Sequence, residues 1–306
     1  MYDAVSISST ERDPEFWKSF LGLDRLKWEE GKSRYYDKRL YSSTISIHYN
    51  DKNNPSRGTW LEMMGQGCRI FEDLGTGDFE SLFCLVKHDP DNFKITRLDI
   101  AFDDHTGLLD LEQLSADTRN QSYISKFRRW QTVEGSDGRS VNLGSQQSDF
   151  YVRIYDKAME RGFEDQHWVR MEFQLRDDRA GKWLRQPQEI GERFAGVLKN
   201  YLRYVEPSVD GNRWRWPMKQ YWADLIGAAE KISLYVKPGI DYNLSKLNGY
   251  VFQQAGNAIA AAMQIYGPKS FEEKLNDRNT VGNPKYDKLV DLYRRGPAIP
   301  VAQNGG

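Results

Sequence analysis

Six side chains in three short segments of the sequence have types that could together break a phosphodiester bond. They are Tyr155, Lys157, Arg153, Asp99, Asp103 and Glu172. A tyrosine phenol has a pKa of about 10, so it needs neighbouring cations or a metal ion to act as a nucleophile. Carboxylate oxygens are the ligands that Mg²⁺ and Mn²⁺ prefer. The set therefore predicts tyrosine attack on a phosphate, assisted by a divalent metal that the three carboxylates hold.

The three segments that carry these side chains are residues 96–103, 150–157 and 168–175, and each alternates apolar with polar residues. A period of two predicts half-buried β-strands, with the apolar side chains on one face and the polar side chains on the other. If the three strands share one sheet, Tyr155, Lys157 and the three carboxylates converge on one face of it.

The same pattern also fits a purely structural role. On spacing alone, Tyr155 could be a tyrosine packed on the surface of a sheet. Two acids on one face of a strand repel each other unless a cation lies between them. The carboxylates of Asp99, Asp103 and Glu172 could be paired with Arg97 and Arg170 instead of a metal ion. The spacing therefore leaves open whether these carboxylates bind a metal ion or an arginine.

Composition limits the class of partner only loosely. The chain has 306 residues and a formal net charge of −1, which argues against a simple, strongly basic nucleic-acid binder. A local basic face is nevertheless sufficient for phosphate binding, and the 13% aromatic residues can stack on bases as well as build a core. The sequence contains no Walker loop and no dinucleotide fingerprint, so a nucleotide cofactor is not expected.

Two cysteines, Cys68 and Cys84, are too few for a disulfide framework or a zinc site. They are expected to be free thiols in a reducing compartment. The sequence begins without a signal-peptide pattern, and no apolar run approaches the roughly 18 residues that a membrane span needs. We therefore expect a cytoplasmic protein with no membrane partner.

The pattern of strands and helix starts predicts an α+β fold, with a curved, mainly antiparallel sheet flanked by helices. Helices are expected to begin at Asp13-Pro14 and after Asp110, because these residues suit the cap and the first turn. A longer helix is expected over residues 177–199 and a single strand over residues 39–48. Turns are predicted at residues 51–58 and 135–138.

The C-terminal third of the chain is predicted to be helical rather than part of the sheet. A linker over residues 206–212 separates a catalytic nicking domain, residues 1–205, from a helical C-terminal region, residues 206–306. Within that region, apolar residues recur at helical spacing over 244–265, ahead of Gly267-Pro268. Residues 297–306 are expected to be disordered.

Residues 119–149 are the best local candidate for a hairpin that contacts DNA, because cations and aromatic rings are interleaved there. The cations are Arg119, Lys126, Arg128, Arg129 and Arg139, and the rings are Tyr123, Phe127 and Trp130. A solvated hairpin with buried rings would have the same composition, so both interpretations stay open.

Taken together and in order, these motifs resemble the replication initiation factor family. That family comprises initiators of staphylococcal rolling-circle plasmids, nicking relaxases of integrative conjugative elements, and phage initiators. The resemblance covers most of the chain. It rests on residues 96–103, Gly144-Ser145, Ser148-Asp149, residues 153–157 and residues 168–175, with further likeness at residues 65–69, 216–219 and 230–231.

The resemblance implies a sequence-directed DNA nickase. The tyrosine matching Tyr155 would attack an origin phosphate, leaving a 5′-phosphotyrosine and a free 3′-OH. The carboxylates would hold Mg²⁺ or Mn²⁺, and Lys157 would neutralise charge on the pentavalent phosphate. The implied partners are origin DNA in a hairpin with a single-stranded nick site, a superfamily-1 helicase and a second copy of the chain. The other residues expected to bind DNA phosphates are Arg97, Arg153, Arg170, Lys126, Arg128, Arg129, Arg139 and Gln146.

The loop before the tyrosine strand departs from the family pattern. Gln146 stands where the family usually has arginine, and Asn142 stands where it usually has an aromatic residue. If the usual arginine binds a phosphate, Arg139 or Arg153 could take over that role. Two other functions therefore stay open, namely an origin-binding protein without catalysis, and a metal-dependent nuclease that uses water and keeps Tyr155 for structure.

Overall fold

A computed structural model describes residues 1–11, 13–51, 58–136, 138–163, 166–227, 230–232, 234, 248, 251–252 and 255–278. The strands are β1 (Tyr2–Ser9), β2 (Glu29–Gly31), β3 (Lys38–Ser42), β4 (Ile45–Tyr49), β5 (Thr59–Met64), β6 (Phe93–Asp104), β7 (Tyr123–Ser125), β8 (Trp130–Gly135), β9 (Gly138–Leu143), β10 (Phe150–Asp156), β11 (Val169–Arg176) and β12 (Leu202–Tyr204). The helices are α1 (Pro14–Leu21), α2 (Gln66–Leu74), α3 (Phe79–His88), α4 (Leu111–Arg119), α5 (Lys157–Arg161), α6 (Asp177–Leu184), α7 (Ile190–Tyr201), α8 (Gln220–Ile226), α9 (Gly256–Tyr266) and α10 (Pro268–Arg278).

Within this part of the chain, ten strands form one antiparallel sheet in the order β2-β3-β4-β5-β1-β6-β11-β10-β9-β8. Strands β7 and β12 form a separate antiparallel pair. Helices contact strands all along the large sheet, from α1 on β4 to α4 on β9. The α+β fold with a mainly antiparallel sheet is therefore confirmed.

The sheet has one apolar face and one polar face, as the period of two predicts. Ile154, Met171 and Phe102 lie side by side on β10, β11 and β6; the first two are buried in the hydrophobic core and Phe102 packs against it. The helices cover this face; the ring of Phe194 on α7, for example, stacks on that of Phe173 at 3.9 Å between centroids. The alternating residues point away from the core, and the predicted catalytic residues belong to that set.

The predicted helix starts are confirmed. The side chain of Asp13 accepts the amide hydrogen of Glu15, and Pro14 is the first residue of α1. The side chain of Asp110 accepts the amides of Glu112 and Gln113 at the start of α4. In both places an acidic cap satisfies amides that have no partner within the helix.

Two element predictions differ from the structure. The helix expected over residues 177–199 is two helices, α6 and α7. They are separated at Pro187, which has no amide hydrogen and restricts the residue before it. The strand expected over residues 39–48 is a hairpin of β3 and β4, which turns at Ser43 with φ of 54°.

The structure divides the chain after residue 236 rather than at the linker that the sequence predicts. The segment after residue 205 belongs to the first unit, residues 1–236. Trp222 on α8 is fully buried there and its Nε1 donates to the carbonyl of Leu202. The second unit, residues 237–306, is described over α9 and α10 and a few residues before them. Gly267 ends α9 with φ of 77° and Pro268 begins α10.

Several predictions fall on residues outside the described ranges. They are the inner part of the 51–58 turn, Asp137 of the 135–138 turn, most of 244–254 and all of 297–306. Among the described residues, no helix is long and apolar enough to cross a bilayer.

Candidate active site

Strands β6, β11 and β10 are neighbours in the sheet, and their register brings the predicted catalytic residues together. Tyr155 is paired with Arg170, which is paired with Asp103, so the three form one row across the polar face. The next row on the same face pairs Arg153 with Glu172. Residues far apart along the chain therefore meet because three strands with the same period pair in antiparallel register.

Tyr155 is held by a carboxylate and an ammonium group. Its phenol donates a hydrogen bond to Oε1 of Glu172 at 2.6 Å. Nζ of Lys157 donates to the phenolic oxygen at 3.2 Å and to Oε1 of Glu160 at 2.8 Å. The guanidinium of Arg153 lies 4.0 Å from the centre of the Tyr155 ring. Only 4% of Tyr155 and 4% of Lys157 is exposed, so these contacts form in a largely water-free site.

Electrostatics keep the proton on the phenol and make its partner more basic. Burial raises the pKa of Tyr155, and the charge of Glu172 and the hydrogen bond to it raise that pKa further. Burial also raises the pKa of Glu172, and the neighbouring carboxylates of Asp3 and Asp99 add to the effect. A carboxylate of raised pKa, in short contact with a hydroxyl, is suited to accept the proton of that hydroxyl.

Both carboxylate oxygens of Asp103 accept hydrogen bonds from Arg170. Nε and Nη2 of Arg170 donate to its two oxygens at 2.7 and 2.8 Å, and Nε1 of Trp168 donates at 2.7 Å. Burial acts to raise the pKa of Asp103, but these hydrogen bonds outweigh it and the pKa is lowered. Arg170 also lies 3.1 Å from Asp3 and 3.9 Å from Glu172, so one buried guanidinium serves three carboxylates.

Asp99 is paired in the same way. Arg97 donates from Nε at 2.9 Å and from Nη2 at 2.5 Å to its two oxygens. Burial nevertheless raises the pKa of Asp99 despite this arginine. Pairing of carboxylates with arginines, which the sequence left open, is therefore present at Asp99 and Asp103, and Arg97 and Arg170 have their guanidinium groups engaged inside the protein. Phosphate binding by these two arginines stays a prediction.

The charge of the site suits a divalent metal ion better than the arrangement of its carboxylate side chains does. Four carboxylates share two arginines in the described ion pairs: Asp3, Asp99, Asp103 and Glu172 with Arg97 and Arg170. These pairs leave two negative charges that a divalent ion would balance, although Arg153 beside the Tyr155 ring offsets one of them. Within the described ranges, however, no three His, Cys, Asp or Glu side chains lie in an arrangement that could hold a metal ion.

Two other predicted DNA contacts lie away from Tyr155. Arg139 is bound to Glu134 at 2.7 Å and to Glu112 at 3.1 Å, so its charge is balanced within the protein. The backbone carbonyl of Gln146 accepts hydrogen bonds from Gln174 at 2.9 Å and Arg176 at 3.3 Å, and the residue is exposed. Gln146 therefore lies at the border of the polar face, and DNA contact by either residue stays a prediction.

The remaining three, Lys126, Arg128 and Arg129, lie on the helix side of the sheet. They line a cavity of about 500 Å³ together with Phe150 and Tyr201. The ring of Phe150 belongs to the apolar face, where it contacts Tyr201 at 5.0 Å between centroids. The structure therefore does not bring these three cations to Tyr155.

Sequence reasoning missed three residues of the site. Glu160 could have been found, because it follows Lys157 by three residues just after the helix cap Asp156. Asp3 and Trp168 had no local signal. Asp3 reaches the site only because β1 pairs with β6, a contact between residues almost a hundred positions apart.

The chain is similar to known proteins along most of its length. A family model described as "Replication initiation factor" matches residues 93–278, and one described as "Rolling Circle replication initiation protein N-terminal domain" matches residues 5–85. A candidate DNA relaxase, NicK of Bacillus subtilis (strain 168), is 28% identical over 330 residues, covering 96% of this chain and 89% of NicK. The solved structure of a rolling circle replication initiator protein from Geobacillus stearothermophilus aligns with a TM-score of 0.68 at 25% identity. That alignment covers 77% of this chain and 98% of the initiator.

Proposed function

Because the chain belongs to the replication initiation factor family, we propose that it initiates rolling-circle replication by nicking one strand of origin DNA with Tyr155. The observation that carries this proposal is the short hydrogen bond from the Tyr155 phenol to Glu172, with Lys157 on the same oxygen. A tyrosine that serves packing alone would not need a carboxylate and a buried cation at its hydroxyl.

The attack balances with the groups present. A bond forms between the phenolic oxygen of Tyr155 and phosphorus, and the bond from phosphorus to the 3′ oxygen breaks. The phenolic proton moves to Glu172, and a proton from solvent completes the free 3′-OH. The product is a 5′-phosphotyrosine, and attack by a 3′-OH on that bond reverses the step and joins strands.

The pKa directions explain why a base is needed. Burial and the charge of Glu172 raise the pKa of Tyr155, so the phenol does not ionise by itself near neutral pH. Its proton must leave as the oxygen attacks, and Glu172 is the group in hydrogen-bond contact. Glu172 is thus assigned as general base, a role beyond the metal ligation expected from the sequence.

Two cations are placed to offset the negative charge that develops during attack. Lys157 contacts the attacking oxygen itself at 3.2 Å. Arg153 lies over the ring and makes no ion pair in the described part of the chain, so its charge is available to a phosphate. Groups that are already oriented before the reaction stabilise such charge most effectively, because nothing has to reorganise.

We extend the proposal to a divalent ion, Mg²⁺ or Mn²⁺, with Glu172, Asp99 and Asp103 as the residues that would hold it. Support comes from the excess negative charge of the site and from the raised pKa of Glu172 and of Asp99. When bound, the ion would neutralise charge on the reacting phosphate. Arg97 and Arg170 compete for the same carboxylates, so their side chains would have to shift.

The substrate and partners follow from family membership in this proposal. They are origin DNA presented as a hairpin with a single-stranded nick site, a superfamily-1 helicase, and a second copy of the chain. A nick site that is already single-stranded removes the cost of unpairing the bases around the scissile phosphate.

The test uses a supercoiled plasmid that carries the DNA flanking the gene, incubated with the protein and Mn²⁺. We expect a covalent protein–DNA adduct and relaxed plasmid. Tyr155→Phe should abolish the adduct. Tyr151→Phe is the matched control, since Tyr151 lies on the same face of β10 four residues earlier, and it should form the adduct.

Each other outcome would change a different part of the proposal. An adduct that persists in Tyr155→Phe overturns the assignment of the nucleophile. Cleavage that gives a free 5′-phosphate and no adduct would indicate a nuclease that uses water. Retarded mobility of the DNA without cleavage, over several metals, would indicate an origin-binding protein without catalysis.

A further inference from the structure

A basic groove lies on the helix side of the sheet and plays no part in the chemistry at Tyr155. It consists of two cavities of about 500 and 160 Å³ that share Lys126 and Tyr201 as lining residues. Strands β7 and β12 form part of its wall. The cations that matter for its charge are Lys126, Arg128, Arg129, Lys199, Arg203 and Lys231.

The groove has almost no compensating negative charge. Among the described residues that line it, Asp149 is the one acid, and Arg179 neutralises that carboxylate at 2.6 Å. Arg128 and Arg129 are exposed, and their guanidinium groups make no hydrogen bond or ion pair in the described part of the chain. The ammonium of Lys126 donates to the neutral side-chain amide of Asn200 and lies 5.2 Å from the centre of the Tyr201 ring. Burial lowers the pKa of Lys126, and the charge of Lys231 lowers it further, which indicates that cations are concentrated here.

An aromatic ring is held out into solvent beside these cations. Trp214 is 63% exposed, lines the smaller cavity, and has no ring partner among the described residues. Its backbone is fixed, because Arg203 donates to its carbonyl at 2.7 Å and Arg213 donates to the carbonyls of Gln121 and Tyr123. An exposed tryptophan on an anchored turn can stack on a base without losing much conformational freedom.

The cations around Tyr155 are largely matched by carboxylates. Four carboxylates there share Arg97 and Arg170, and Glu160 pairs with Lys157, which leaves Arg153 without an ion pair in the described part of the chain. Most of the affinity of a protein for DNA comes from cations that displace counterions from phosphates. Cations outside the Tyr155 site are therefore expected to supply most of the attraction for the strand.

One loop connects the groove with the Tyr155 face. Gly144, Ser145 and Ser148 line the larger cavity, while the carbonyl of Gln146 between them accepts from Gln174 and Arg176 on the polar face. The loop stays close to the strand, because Gly144 has φ of 91° and the carbonyl of Phe150 lies 3.0 Å from where a Cβ would be. Nucleic acid lying in the groove can thus continue over this loop toward Tyr155.

We propose that the basic groove is a second DNA-binding site, which holds single-stranded DNA with a base stacked on Trp214. Stacking requires a base whose face is free, which a single strand offers and a paired duplex does not. That the bound strand is the one cut at Tyr155 rests on the proposed function. Binding in the groove does not rest on it.

The test measures binding of a fluorescent 20-nucleotide oligo(dT) by anisotropy over a series of salt concentrations. All proteins carry Tyr155→Phe, so the result is independent of whether the protein cuts DNA. The groove variant is the double substitution Arg128→Glu and Arg129→Glu. Its matched control is Arg25→Glu with Lys27→Glu, which reverses two exposed charges elsewhere and changes the net charge equally.

We expect the groove variant to bind at least tenfold more weakly than the control at low salt. Its slope of log affinity against log salt should fall by about 1.4, since each phosphate contact to a single strand contributes about 0.7. Trp214→Ala should lose about 5- to 150-fold at every salt concentration, the range for one stacked base. A 20-base-pair duplex should show no effect of Trp214→Ala.

Two results would overturn the proposal. The first is equal binding of oligo(dT) by the groove variant and the control. The second is an equal loss for duplex and single strand on Trp214→Ala. Failure of the proposed nicking function would instead appear as absence of the covalent adduct with normal oligo(dT) binding, so the two failures are distinct.

Discussion

The phenolic oxygen of Tyr155 lies 2.6 Å from Oε1 of Glu172, one strand away on the same face of the sheet. This contact pairs a nucleophile whose pKa is raised with a carboxylate whose pKa is also raised. The pair is mutually destabilising when both are ionised, so removal of the phenolic proton is coupled to its uptake by Glu172.

Glu172→Gln should slow formation of the covalent adduct by about 10²- to 10⁴-fold, the usual contribution of a general base. The amide oxygen can still accept the phenolic hydrogen bond, but it cannot take the proton. Single-turnover rates at saturating DNA measure this loss. The wild-type rate should rise as pH increases through the raised pKa of Glu172, and Glu172→Gln should lack that rise. An unchanged rate and pH profile would remove Glu172 from the chemistry.

The same substitution should stabilise the fold at pH 8. Because the pKa of Glu172 is higher in the folded protein than in the unfolded chain, its ionised form disfavours folding. This penalty disappears as pH falls through the folded pKa toward the unfolded value. Glu172→Gln should therefore unfold about 2–4 °C higher at pH 8, as about 1 kcal/mol would give in a chain of this size. The difference should vanish near pH 4, and a lower melting temperature at pH 8 would contradict it.

The part of the site that was predictable from sequence is the part with a local signature. Alternation of polar residues in β6, β10 and β11 predicted that Tyr155 and Glu172 would share one face if these strands shared a sheet, and the strands do pair in this way. The sequence could not predict whether Asp99 and Asp103 bind a metal ion or an arginine, because either partner fits the same spacing. The outcome depends on how close Arg97 and Arg170 come in three dimensions.

Contacts between distant segments could not be predicted. Asp3 reaches Arg170 through the pairing of β1 with β6, and part of the wall of the basic groove is formed by the pairing of β7 with β12. In residues 119–149 the cations were recognised as possible DNA contacts. Lys126, Arg128 and Arg129 lie on the helix side, away from Tyr155, and the strand β7 that precedes them pairs with β12 rather than with a strand of the main sheet.

Lys157 and Glu160 should have unequal effects although they contact each other at 2.8 Å. Lys157→Gln removes the cation on the attacking oxygen and should slow adduct formation by about 10²- to 10³-fold, as loss of one charge-stabilising donor does. Glu160→Gln leaves that cation in place and removes a carboxylate that raises the pKa of Tyr155, so its effect should stay below about tenfold. Lys157→Arg should restore part of the rate. A larger loss for Glu160→Gln than for Lys157→Gln would reverse these roles.

Gln146→Arg should strengthen binding of single-stranded DNA by about three- to tenfold at low salt. Gln146 is exposed on the loop between the basic groove and the polar face, and a cation there would meet a phosphate of a strand that passes over it. The slope of log affinity against log salt should steepen by about 0.7. Gln147→Arg adds the same charge at the adjacent exposed residue and serves as the control. If both substitutions strengthen binding equally, the effect is general attraction rather than contact at Gln146.

Mn²⁺ binding should respond in opposite directions to two substitutions of one ion pair. Arg97 bonds to both oxygens of Asp99, so arginine and metal compete for the same carboxylate. Arg97→Gln should therefore tighten Mn²⁺ binding by about tenfold, whereas Asp99→Asn should weaken it by at least tenfold, since hard cations prefer charged oxygen ligands. Electron paramagnetic resonance of free Mn²⁺ measures both effects without DNA or activity. Arg25→Gln, which removes an exposed charge elsewhere, is the control for loss of one positive charge. If Arg97→Gln and Asp99→Asn bind Mn²⁺ as the control does, Asp99 is an internal partner of Arg97 and the metal ligands must be sought among the other carboxylates.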